Sequence, residues 1–354
     1  MRIRPAYLLL VFLTLFSCSR EETRGPLGEG SVTIRFSIAD LQPTRAVTPG
    51  TESVADGGAI YASAGVPDLV ILIADGNGDI VKRYSGSSPV NGTLESLTDT
   101  EASVAFAGLS EGTYTVYAFG NTEGLWTMTT DPSDGSISMS GSDLMSLSTA
   151  DEVEVLQFKA MDADVNPALQ NGRLPVSAKA SLRVSANSNG EVCLELLRCV
   201  AKVTAIIINN SGEEITLYDY SHSFAGMCPD RGYVVPHTSD SPEGTNAGNL
   251  TASPALPITI PHNGTHPYSW YVFPSTGPYT ADIGFTLFKD NVGGTERTYT
   301  YSSLPVTNWK AVNIPALERN QHLVVETRLS KGLTVSFNFE VAEWNPISEE
   351  VHFD

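Results

Sequence analysis

Positive charge is scarce in this chain. Its 354 residues carry 21 Lys and Arg against 40 Asp and Glu, a formal net charge of −19. Such an acidic surface repels phosphate backbones, which argues against nucleic acid as a partner. No apolar run is long enough to span a membrane as a helix: Leu8–Phe16 is nine residues, and such a helix needs about twenty. Cysteine is sparse, at four, and no pair has zinc-ligand spacing. There is no P-loop, no dinucleotide-binding fingerprint and no convincing helical period over ten residues. Charged residues make up only 17%, yet apolar residues reach 41% with thirteen Tyr and thirteen Phe. That apolar content excludes wholesale disorder. Low charge with abundant Ser, Thr and Gly suits an all-β protein outside the cytoplasm. At about 150 residues per domain, the length suggests two domains.

The N-terminus points to a compartment. Arg2 and Arg4 precede the apolar run, which ends in Leu15-Phe16-Ser17-Cys18. A positive start, a short apolar stretch and a small residue before Cys resemble a bacterial lipobox. Residues 1–17 are therefore expected to leave as a signal peptide, with Cys18 lipidated. Losing Arg2 and Arg4 takes the net charge from −19 to −21. Each buried acyl CH₂ contributes about 0.8 kcal/mol, so a multiply acylated Cys18 anchors the chain to the outer membrane. Glu21 and Glu22 follow closely and resemble the surface-export signal of Bacteroidota lipoproteins. Of the remaining cysteines, Cys193 and Cys199 are six apart on one expected strand. They would face the same way about 20 Å apart and cannot bond each other without a bend. Pairing of one with Cys228 and burial of all three as small apolar residues both stay open.

Period-two alternation dominates the rest. Val32, Ile34, Phe36 and Ile38 alternate with Thr33, Arg35 and Ser37, and a Gly-, Pro- and Thr-rich stretch over residues 43–65 follows. Expected strands cover residues 68–74, 79–84, 102–107, 113–119, 152–160, 178–186, 269–273, 281–288, 297–302, 322–329 and 333–341. A long apolar run, Leu194 to Ile208, is expected to open the second half. The fold class is all-β: two antiparallel β-sandwiches in tandem, transthyretin-like or immunoglobulin-like. The expected division is a propeptide over 18–45, one sandwich over 46–190 and another over 191–354, with the boundary near Glu191.

Several motif matches dissolve on inspection. Gly108-Leu109-Ser110-Glu111-Gly112 fits the G-x-S-x-G nucleophile elbow, but the elbow needs a helix after Ser, and Thr113–Phe119 alternates as a strand. A hairpin turn is expected instead. Asp75-Gly76-Asn77-Gly78-Asp79 begins like a calcium loop, yet Ile80 and Gly86 occupy the places of its Gly and its bidentate Glu. His262 and His266 are four apart among Pro261, Gly264 and Pro267, which exclude the helix that would align them. No nucleophile–base pair, metal set or cofactor site emerges, and no enzyme activity is expected.

A further set of segments resembles the fimbrillin family of Bacteroidales, the type V pilins. They are the lipobox with a first strand that ends near a lone Arg, and Gly112-Thr113-Tyr114-Thr115-Val116-Tyr117-Ala118-Phe119-Gly120-Asn121. They continue with Leu174-Pro175-Val176-Ser177, Leu197-Arg198-Cys199-Val200-Ala201-Lys202-Val203, Leu317-Glu318-Arg319-Asn320-Gln321-His322-Leu323, and Val341 to Trp344. Val176, where Met is usual, and Cys199 depart from the pattern. The resemblance implies a surface lipoprotein whose first strand is released by an arginine-specific protease. It also implies that the emptied groove is filled by a strand from a neighbouring subunit's C-terminus, giving a homo- or heteropolymer. Arg45, followed by Ala46 in Gln42-Pro43-Thr44-Arg45-Ala46, is the expected cleavage point; cutting at Arg24 would not release the strand.

Magnitudes fit that scheme. If buried, Val32, Ile34, Phe36 and Ile38 contribute roughly 6–12 kcal/mol together, comparable with a domain's stability of about 5–15 kcal/mol. An emptied groove with unpaired strand edges invites another strand. The C-terminus offers two combs: Leu333, Val335, Phe337, Phe339 and Val341, then Val351 and Phe353. Which of them donates, and which completes its own fold, stays open. So do an anchor role keeping Cys18 and the first strand, and a tip role without a donor. A surface glycan-binding lipoprotein that stacks sugars on Trp126, Trp270, Trp309 or Trp344 is the alternative from another class.

Overall fold

The computed structural model describes residues 30–38, 69–86, 90–97, 101–121, 128–129, 141–158, 174–186, 189–229, 232–236, 247–289, 296–308 and 310–343. Cys18, Arg45, Ala46, Val351 and Phe353 lie outside them, as do Arg24, Trp126, Trp309 and Trp344. Strands take up 69% of the described residues and helices 4%, as the pervasive alternation predicts.

The chain begins with β1 (Gly30–Ile38), β2 (Leu69–Ala74), β3 (Ile80–Ser85), β4 (Gly92–Leu97), β5 (Glu101–Leu109) and β6 (Gly112–Gly120). After β7 (Met128–Thr129), α1 (Gly141–Leu144), α2 (Ala150–Glu154) and β8 (Gln157–Phe158) come β9 (Val176–Val184) and β10 (Asn189–Arg198). The eight long strands bond in the order β3-β2-β6-β9-β10-β1-β5-β4. The link in the middle is slight: β10 meets β9 only at Leu197–Ser177 and Arg198–Val176. The two halves face each other as layers, and Ile71 and Val116 from one share a core with Ile34 and Phe106 from the other.

The pairing departs from the wholly antiparallel sandwiches expected from sequence. β1 runs antiparallel to β5 but parallel to β10. Those two neighbours run opposite to each other, so any strand between them must be parallel to one. β2 is buried along its whole length because it serves two cores. Leu69, Ile71 and Ile73 face the sandwich interior, while Val70, Leu72 and Ala74 face outward. The outward face packs against Leu144, Val153, Leu156, Phe158, Val234 and Val235 and reaches Tyr271 and Phe273.

Two local expectations change. Residues 152–160 were expected to be a strand, but α2 precedes the short β8 there. Thr149 caps α2, and Glu152 reaches back to the Thr149 amide in a capping box. The turn at Ser110 joins strand to strand, so it is no nucleophile elbow, yet it is not a hairpin either. β5 and β6 lie in opposite layers, bridged by an arch in which the Tyr114 hydroxyl donates to the Ser110 carbonyl at 2.8 Å.

The second sandwich follows: β11 (Ala201–Asn209), β12 (Ile215–Pro229), β13 (Gly232–Tyr233), β14 (Ala247–Ala252), β15 (Ile258–Ile260) and β16 (Thr265–Val272). Then come β17 (Ser275–Thr276), β18 (Thr280–Lys289), β19 (Glu296–Pro305), β20 (Ala316–Leu317), β21 (Gln321–Leu329) and β22 (Val335–Glu343). One layer reads β16-β11-β21-β22, with β11 and β21 parallel; the other reads β14-β12-β18-β19, with β15 beside β12. The apolar run from Leu194 to Ile208 spans both sandwiches. Its first part is β10, inside the first sheet, so the change of sheet falls between Arg198 and Ala201, beyond Glu191. The strand also ends before Cys199, which is buried while Cys193 on β10 is exposed, so the two do not share one strand face.

The second core carries a polar knot. His222, fully buried, sits between the hydroxyls of Tyr220, 3.2 Å from Nε2, and Tyr268, against Nδ1. Tyr220 donates onward to Thr327 at 3.0 Å. An Nε2–H imidazole satisfies all of these bonds: it donates to Tyr220 and accepts from Tyr268. Burial pushes the His222 pKa down to about 3, so the folded protein keeps the ring neutral while the unfolded chain protonates near pH 6.5. This contribution to stability is complete above about pH 6.5 and is lost as the pH falls towards about 3. Over that window His222→Gln is expected to flatten the acid limb of a stability-versus-pH curve relative to the parent, by up to about 1.4 kcal/mol per pH unit. Parallel acid limbs in chemical denaturation at pH 4, 5, 6 and 7 would refute the assignment.

Candidate functional site

β1 is the first described strand of the chain, yet it lies inside a sheet. Eight consecutive pairs, Ser31–Asn189 to Ile38–Leu196, join it to β10, and a ladder from Gly30–Leu109 to Ser37–Glu101 joins it to β5. Alternation turns Val32, Ile34 and Phe36 inward, where they are 1%, 0% and 1% exposed. Burying three such side chains contributes about 5–9 kcal/mol. The outer face is polar: Arg35 forms an ion pair with Glu191, and Ser31 donates to the Asn189 side chain. The backbone of Ile38 continues the β10 ladder. The four residues expected to form a removable strand therefore share one strand, and without it β10 and β5 would flank a groove.

The C-terminal comb is elsewhere. Leu333 closes a 3-10 turn, and Val335, Phe337, Phe339 and Val341 lie on β22. Nine residue pairs, Gln321–Glu343 to Leu329–Val335, bind β22 to β21. β22 is the edge of its sheet. Phe339 is buried in the second core, while Val335, Phe337 and Val341 pack against it only partly covered. Beside this edge opens a cavity of about 540 Å³ whose lining includes Leu304, Ala311, Phe337 and Phe339. The structure thus seats this comb on its own sandwich and does not bring it to β1.

Four of the segments quoted for the resemblance converge at one place that sequence reading did not single out. Asn121, ending its motif in the left-handed conformation at φ 57°, donates its Nδ2 to the Leu174 carbonyl at 3.0 Å. Asn suits both tasks, tolerating that backbone and supplying a donor. The Cys199 amide donates to Pro175, and Ser177 Oγ donates to Val234 at 2.6 Å. Arg198, 1% exposed, donates through Nη1 to Asn320 at 2.6 Å. Arg319, also buried, donates to Ser177 Oγ and to the carbonyls of Tyr233, Val234 and Val235. A planar guanidinium with five donors is suited to bridging several acceptors at once. These residues fasten the first sandwich to the second through buried hydrogen bonds.

Other candidates resolve as structure. Asp75 accepts the amides of Asn77 and Asp79 at 2.8 and 3.1 Å, closing the β2–β3 hairpin. Gly212 N–H donates to His262 Nδ1 at 3.2 Å, and His266 sits on β16. Among the described residues no group of three or more His, Cys, Asp or Glu is placed to hold a metal. Trp270 is 4% exposed within the second core, so it offers no face to a sugar.

No family profile and no curated protein matches the chain. Solved structures do. A proposed cell adhesion protein from Bacteroides eggerthii aligns with a TM-score of 0.50 at 14% identity, over 91% of this chain and 98% of its own. A proposed cell adhesion protein from Parabacteroides distasonis gives 0.49 at 12% identity, covering 92% and 100%. A fimbrial assembly protein from the same species gives 0.45 at 10%, covering 90% and 98%. At 14% identity the likeness to the first is one of fold.

Arg319→Met keeps the apolar stem of the side chain and deletes its donors, stripping four acceptors at the junction. The variant is expected to lose about 3 kcal/mol or more in urea denaturation followed by far-UV circular dichroism. A parental midpoint would show that the junction does not depend on this side chain.

Proposed function

We propose that this chain is a surface adhesion protein, and specifically a structural subunit of a fimbria. In this reading it is exported as a lipoprotein on Cys18 and activated by cleavage after Arg45, then assembled by strand exchange. One observation carries the reading: the first described strand occupies an interior position in its sheet. Residues 39–68 separate β1 from β2 in the chain, and Arg45 falls among them. A single cut there leaves β1 held by non-covalent contacts alone. An interior strand with three buried side chains cannot leave without replacement, because the groove would expose an apolar floor and two unpaired ladders. A strand offered by a second subunit restores both. The fold likeness to a protein proposed in cell adhesion agrees with this reading, as do the lipobox and the ordered motifs.

Limited digestion of the signal-free protein with an arginine-specific protease tests it. A new N-terminus at Ala46 together with a ladder on native electrophoresis is the expected result. Arg35 pairs with the free, exposed Cys193 across the β1–β10 ladder, so Arg35→Cys, oxidised with a mild disulfide-forming oxidant before digestion, is expected to lock β1 by a disulfide and abolish the ladder of oligomers until a reductant is added. Failure to cut at Arg45, or a cut product that stays a stable monomer, would overturn the reading.

A further inference from the structure

The walls around β1 differ from row to row, and together they select the strand that fits. In the first row Val32 lies between Phe106 on β5 and Gly190 on β10. A Cβ on Gly190 would come within 2.8 Å of Val32 Cγ2, so this glycine is a notch cut for the Val32 side chain. In the second row Ile34 sits between Val104 and Val192, where branched walls leave room for another aliphatic side chain. In the third, Phe36 lies between Leu194 and Ala102, the small alanine giving space for a ring. The required order along the strand is aliphatic, aliphatic, aromatic, at alternate positions.

The segment Leu333-Thr334-Val335-Ser336-Phe337-Asn338-Phe339 repeats the apolar–polar alternation of Val32-Thr33-Ile34-Arg35-Phe36-Ser37-Ile38 and its aliphatic, aliphatic, aromatic order over the first three apolar positions. Three other placements fit worse. Sliding the segment by two brings Phe337 to the row walled by Val104 and Val192. Reversing it with Phe337 still opposite Ala102 brings Phe339 there. Placing Val351 and Phe353 in the second and third rows puts Glu349 beside Gly190, where Val32 is 1% exposed; an unpaired carboxylate is costly there. At home, Val335 and Phe337 are only partly covered, and Phe337 borders the open cavity at an edge. Their counterparts Ile34 and Phe36 are fully buried, so these two side chains gain burial in the groove.

Resting on the strand-exchange reading, we infer that residues 333–339 of a neighbouring subunit fill the β1 groove in β1's own direction. Leu333 lies at Gly190, Val335 between Val104 and Val192, and Phe337 at Ala102. Ser336 then takes the place of Arg35 beside Cys193. After cleavage and assembly under mild oxidation, Ser336→Cys is expected to join most subunits of the ladder by disulfides. Asn338→Cys is expected not to, and Cys193→Ser is expected to remove the links. Linking through Asn338→Cys alone would overturn the register or the direction, and a ladder that neither variant links would overturn the register. If no ladder forms, the assembly reading has failed and the groove is tested in the intact chain. The in-register graft Val32→Leu, Ile34→Val, Arg35→Ser, Ser37→Asn and Ile38→Phe is expected to keep the thermal midpoint. The shifted graft Ile34→Phe with Ile38→Val is expected to lower it by about 5 °C or more. Equal losses in the two grafts would overturn the register there.

Discussion

The first sandwich depends on a strand lying between β10 and β5. Those neighbours belong to a sheet whose floor is Val104, Phe106, Leu194 and Leu196, all nearly or fully buried, and they meet each other only through β1. The ladder bonds on both flanks and the apolar faces of Val32, Ile34 and Phe36 are satisfied together or lost together. In the proposed assembly the position, rather than any single residue, is therefore the functional feature. A second strand with the right sequence of sizes would satisfy the same ladders and the same floor once the covalent chain is cut.

The second constraint is the junction. Ser177, Arg198, Arg319 and Asn320 come from distant parts of the chain and meet at buried hydrogen bonds. A buried guanidinium is tolerated there because carbonyls of Tyr233, Val234 and Val235 receive it. β2, β6 and the short helices contribute the apolar part of the same region. The two sandwiches therefore share a packed interface in addition to the covalent link at Cys199–Val200.

Strand content was legible because alternation survives burial on one face, and β1 and β22 stood out for that reason. What escaped has physical causes. α2 spans five residues, too few to display a helical period, although Thr149 and Glu152 carry its capping signature. The change of sheet after Arg198 leaves no compositional mark, since inward residues of β10 and most of β11 are buried alike. The parallel pairing of β1 with β10 links residues far apart in sequence, and the arch at Ser110 has the composition of a hairpin. The junction bonds join residues as far as 142 positions apart, a distance at which one sequence carries no signal. The motif segments were visible as a pattern, but their shared location was not.

The interior position of β1 has a mechanical meaning. A strand at an edge is peeled by a pull across its length, one bond after another. A strand flanked on both sides and pulled along its axis must slide past two ladders and three seated side chains at once. Tension entering a subunit through this groove would therefore load many weak bonds in parallel, and the buried junction would hand it to the second sandwich. An assembly joined in this way owes its tensile strength to geometry rather than to any covalent link.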